Sequence, residues 1–81
     1  MKYEVIKQLS YDYEDVPPWR SYEVHAAGDD LRSLIMDAHI CELDQDGGEL
    51  AFYPLDWAPD GLHGVALHAL KSAFAEAIAK N

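Results

Sequence analysis

Five side chains could serve as metal ligands or as a nucleophile and its base: His25, His39, Cys41, His63 and His68. A zinc site draws three or four ligands from such groups. His39 and Cys41 are two apart, so on a strand they share a face. No CxxC, HxxxH or HExxH spacing accompanies them. His63 and His68 lie about 140° apart on a helix and cannot chelate together. His63 falls on an apolar face near a helix start, where a hydrogen-bonded boundary histidine is the ordinary role. Catalysis by Cys41 would need an electropositive setting to form the thiolate. Its neighbours Asp37, Glu42 and Asp44 supply the opposite. Ser10, Ser21, Ser33 and Ser72 sit in no nucleophile-elbow motif. An EF-hand counted from Asp44 needs Gly at its sixth position and Glu at its twelfth, but finds Glu49 and Leu55. Gly47-Gly48 has no Lys or Arg near it to hold a phosphate. The expectation is a non-enzyme with no catalytic residue, metal or cofactor.

Carboxylates supply the stronger pattern. No Lys or Arg occurs between Arg32 and Lys71, yet that stretch carries Asp37, Glu42, Asp44, Asp46, Glu49, Asp56 and Asp60. Some of these must face water or a basic partner, because unpaired buried carboxylates are very costly. Acids also alternate with aromatics in Tyr11–Trp19 and Phe52–Asp60, both stiffened by proline. Carboxylates steer encounter with basic surfaces, and Tyr and Trp give rigid contact area. The expected partner-binding residues are Asp12, Tyr13, Glu14, Asp15, Asp44, Asp46, Glu49, Tyr53, Asp56 and Trp57. The competing explanation is that the aromatics close the ends of the core and the acids are solvated loop charge.

Composition narrows the partner class. The chain has 81 residues, is 49% hydrophobic and carries a formal net charge of −9. That suits one small domain, residues 1–81, with one core. The charge opposes direct binding to nucleic acid or an anionic membrane, since phosphate contacts need Lys and Arg. A single cysteine excludes an internal disulfide, and a cytoplasmic setting is the simplest expectation. The N-terminus shows no signal-peptide core, and no apolar run approaches the ~18 residues a membrane span needs.

The elements that would position these groups follow from periodicity. Residues 2–9 alternate with one slip, placing Tyr3, Val5 and Leu9 on one side. Residues 19–26 alternate again, with Ser21, Glu23 and His25 opposite Tyr22, Val24 and Ala26. Pro17-Pro18 ends any ladder between the two. Asp29 is the natural N-cap of a helix whose stripe is Leu31, Leu34, Ile35 and Ala38. Extending that stripe would bury Glu42, so the helix should end near Ala38. A hairpin then joins residues 39–43 to 49–53 through Asp44–Gly48. Residues 54–59 are irregular, and Asp60 caps a last helix. Its broad apolar face is Leu62, Ala66, Leu67, Leu70, Ala73, Phe74, Ala77 and Ile78. The order predicts an α+β fold, ββαββα, a four-stranded mainly antiparallel sheet with two helices on one face.

In overall character the chain is similar to the small acidic proteins that phages use as anti-CRISPR inhibitors or DNA mimics. The likeness rests on length, charge, one cysteine, the α+β pattern and the acidic run 37–60. Immunity proteins that cap basic nuclease toxins share this profile. The resemblance implies a small inhibitor that occupies a basic, nucleic-acid-binding surface of a partner protein or nucleoprotein complex. The alternative expectation is a non-catalytic accessory subunit that forms a homo-oligomer, such as a homodimer.

Overall fold

A computed structural model describes residues 2–11 and 20–80. Four strands form one antiparallel sheet in the order β1-β2-β3-β4. They are β1 (Tyr3–Leu9), β2 (Ser21–Gly28), β3 (His39–Leu43) and β4 (Glu49–Pro54). Helix α1 (Leu31–Asp37) joins β2 to β3, and α2 (Asp60–Ala79) follows a single 3-10 turn at Leu55–Trp57. The fold is therefore ββαββα, and both helices cover one face of the sheet.

Alternation divides the sheet cleanly. Val5 and Leu9 on β1, Tyr22, Val24 and Ala26 on β2, and Ile40 on β3 are buried beneath the helices. The alternation in β1 is unbroken, without the expected slip, because Lys7 sits on the helix side opposite Val24. There its stem borders a groove beside α2, a placement that a long cationic side chain tolerates. Glu42 also lies on the helix side, since strand period two places it with Ile40. Ending α1 early thus does not keep Glu42 off the covered face, and the strand compensates by pairing it with Arg20 at 2.7 Å.

Asp30, not Asp29, caps α1. Its carboxylate accepts from the Ser33 N–H at 2.8 Å, and the Ser33 hydroxyl accepts from the Asp30 N–H. This reciprocal box satisfies two of the free amides at the helix start. Gly28 is required just before it, because a Cβ there would run into Ser33 Oγ and approach the Leu34 nitrogen to 2.9 Å. The helix stops where Ala38 turns extended, and β3 begins at once.

Helix α2 starts at Asp60 with Pro59 in the cap position and no side-chain cap. Asp60 thus lies inside the first turn, where its charge still favours the dipole. Leu62, Ala66, Ala69 and Leu70 are buried, and Val65, Ala73 and Phe74 pack partly against the core. Val65 and Ala69 replace Ile78 on the expected face, and Ile78 is half exposed. The Phe74 ring meets Tyr3 edge to face, with centroids 5.3 Å apart. The described residues share one core built around Val24, Leu34, Ile40, Leu62 and Leu70.

Candidate functional site

Among the described residues neither helix covers the other sheet face, and pairing register assembles chemistry there. On β2, Glu23 and His25 project to this face. On β3, His39 and Cys41 do the same. His25 lies directly opposite His39, and Glu23 directly opposite Cys41. The four side chains therefore occupy the corners of one cross-strand quadrilateral. The His25 and His39 rings stack with centroids 5.3 Å apart, and His39 meets Phe52 of β4 at 4.3 Å. One ligand atom each from His25, His39 and Cys41 lies within 4.8 Å of the other two.

Glu23 orients the His25 ring. Its Oε1 accepts from His25 Nε2 at 3.1 Å. A carboxylate can only accept, so in this arrangement Nε2 carries a proton and donates it, and in the neutral ring Nδ1 is the nitrogen left to accept. Cys41 is buried. Burial raises its thiol pKa, and the nearby charges of Glu49 and Glu23 add to the rise. That setting disfavours a nucleophilic thiolate, in keeping with the acidic neighbourhood read from the sequence. A shallow cavity of about 210 Å³ opens beside the rings, lined by Ile6, Ala27, Asp37 and both histidines among others. Ile6 is 70% exposed and Phe52 is 56% exposed, so this face also carries apolar surface.

The expected partner-binding residues do not form one patch. Asp12, Tyr13, Glu14 and Asp15 lie outside the described residues. Asp44, Asp46 and Glu49 sit at the β3–β4 turn, whereas Asp56 and Trp57 follow the other end of β4. The strand between spans about 17 Å at ~3.4 Å per residue. Asp44 is committed to the turn. Its Oδ1 accepts from the Asp46 and Gly48 N–H groups, each at 2.8 Å. Gly47 completes the turn at φ 84, in the left-handed region. Tyr53 faces the core from the helix side, packed against it, and is no free anchor. Asp46, Glu49 and Asp56 are exposed, and Trp57 is 81% exposed.

The inner side of β2, β3 and β4 holds a polar cluster that the sequence pattern did not single out. Tyr22 and Tyr53 flank the Arg20–Glu42 pair, and Tyr11 meets Tyr22 edge to face at 5.5 Å. Burial, then the neighbouring Tyr22 and Glu42, push the Tyr53 phenol up to about 12. Tyr22 is also raised, first by burial and then by Glu42, with Arg20 opposing. These phenols stay neutral across the physiological range and pair structurally. His63 behaves as its position on the helix predicted. It is part-buried, with Nδ1 2.9 Å from the Leu55 carbonyl, so Nδ1–H donates and ties α2 to the 3-10 turn.

A groove of about 650 Å³ runs between the end of β1 and the first half of α2, with Lys7, Asp60 and His68 among its lining. No described residue in it forms a nucleophile–base pair. Among the described residues no helix is long and apolar enough to cross a membrane. No family model matches the chain, and neither the curated proteins nor the solved structures give a match.

Proposed function

We propose that this chain is a non-enzymatic protein-binding module that occupies a basic, nucleic-acid-binding surface of a partner protein. The observation that carries the reading is Trp57, 81% exposed and placed beside the exposed Asp56. Exposing a large indole costs hydrophobic free energy that a partner's pocket would recover. Between described residues, the one ion pair joining Lys or Arg to a carboxylate is Arg20–Glu42. Asp46, Glu49 and Asp56 are thus left to attract a basic partner. With a net charge of −9, the field steers such partners over more than contact distance. Asp44 and Tyr53 support the fold in this reading, and Asp12, Tyr13, Glu14 and Asp15 belong to it on sequence grounds alone.

The test compares the native chain with Trp57→Ala and with the triple variant Asp46→Lys, Glu49→Lys, Asp56→Lys in pull-downs from lysate. Asp44 is spared because its loss would damage the turn. The expected result is a basic nucleic-acid-handling partner, eluted by moderate salt and lost in both variants. Association rates should fall about tenfold or more in the triple variant. Undiminished capture by both variants would refute the surface. A salt-resistant homo-oligomer with no partner would favour the accessory-subunit alternative, with pairing through a β1 or β4 edge.

A further inference from the structure

We propose that His25, His39 and Cys41 form a binding site for a zinc-type divalent ion, with Glu23 as its positioning residue. The donor set is two imidazoles and one thiol, which suits zinc and its cobalt surrogate over the hard cations that exposed carboxylates attract. The ligand atoms lie within 4.8 Å of one another. Tetrahedral coordination at ordinary bond lengths needs about 3.3 Å between nitrogens and about 3.6 Å from nitrogen to sulfur. The remaining contraction is at most about 1.2–1.5 Å and lies within reach of χ rotations by two partly exposed rings. Three of the four coordination positions come from the protein. The fourth faces the solvent side of the sheet, beside the 210 Å³ cavity, and suits water or a small anion.

The surroundings fit a cation. Glu23 and Glu49 both act electrostatically on Cys41, and a bound cation turns that unfavourable field into a favourable one. The bond from His25 Nε2–H to Glu23 is the carboxylate–histidine arrangement that fixes a metal-ligating ring and sharpens its basicity. Binding exchanges the Cys41 proton for the ion, since only the thiolate coordinates. No redox step is involved. The competing explanation is a ladder of stacked rings, His25–His39–Phe52, that covers the thiol without any ion.

The experiment titrates metal-free, full-length protein with Co(II) and then Zn(II) near neutral pH. Absorbance and calorimetry follow binding, and circular dichroism checks each variant's fold. The expected result is one equivalent of Co(II) with a thiolate-to-cobalt charge-transfer band, displaced by Zn(II) binding at micromolar dissociation constant or tighter. Cys41→Ser should remove the band. His39→Ala should weaken binding about tenfold or more. Glu23→Gln should keep the band while affinity falls about tenfold, which separates positioning from ligation. His68→Ala, on the exposed side of α2, should change nothing. Folded protein that shows no band, or zinc binding unchanged in Cys41→Ser and His39→Ala, would overturn the proposal.

Discussion

Leu70→Ala should remove much of the stability of this domain. Leu70 is 0% exposed and lies midway along α2, in the same cluster as Leu34, Val24 and Leu62. The change deletes three carbon groups, about 2.4 kcal/mol of transfer free energy at ~0.8 per group. The void adds about 24 cal/mol per Å³. The sheet below and α1 beside it relax only in part, so about 40 Å³ of residual void adds about 1 kcal/mol. The total is about 3–4 kcal/mol. A domain of 81 residues holds about 4–12 kcal/mol at ~0.05–0.15 per residue. Urea denaturation reads the effect directly. With a slope of about 1 kcal/mol/M, the midpoint should fall by about 3 M. Ile78→Ala is the control, because that side chain is half exposed at the far end of the same helix. It should cost less than about 1 kcal/mol. Equal losses in the two variants would show that α2 does not present the face described, and the layer arrangement would fail with it.

Alkaline titration tests the tyrosine cluster. Tyr53 has its folded pKa raised from 10.0 to about 12, so the folded state holds its proton longer than the unfolded chain. Its contribution is complete below pH 10 and is lost as pH rises from there to about 12. Ultraviolet difference titration should show phenols ionising late, with stability declining over that window. Ionisation of every tyrosine near the ordinary value, with the fold intact, would contradict the burial of Tyr53. At the β3–β4 turn, Asp44→Ala removes the acceptor of two backbone N–H groups. It should cost about 1 kcal/mol in thermal or urea unfolding, because the freed amides reach water. A neutral effect would show that Gly47 alone sets the turn.

Much of the architecture was legible because the period of the apolar residues differs between strand and helix. The alternation of Tyr22, Val24 and Ala26 defined β2, and the spacing of Leu31, Leu34 and Ala38 defined the face of α1, whereas its end was placed correctly on a premise about Glu42 that the strand does not keep. The helix cap moved by one residue because Asp29 and Asp30 are chemically alike, and only Ser33 in place to return the bond selects Asp30. Val65 and Ala69 were missed because the buried stripe of α2 depends on its angle across the sheet. Sequence periodicity alone does not contain that angle. Asp44 and Tyr53 looked like surface groups because their residue types suit a partner, while turn geometry and strand facing assigned them to the fold.

The amino-acid sequence by itself determined the element order, the α+β class and the excess of carboxylates. It also placed Glu23 with His25, and His39 with Cys41, on common strand faces, since side chains two apart on a strand point the same way. Only the tertiary structure decided that the two pairs meet. A register shifted by one residue would turn one pair to the covered face. The observed register sets His25 against His39 and Glu23 against Cys41, because it is the one that buries Val24 opposite Ile40 under the helices. Burial of the apolar core fixed that pairing, and the cluster on the uncovered face is its consequence.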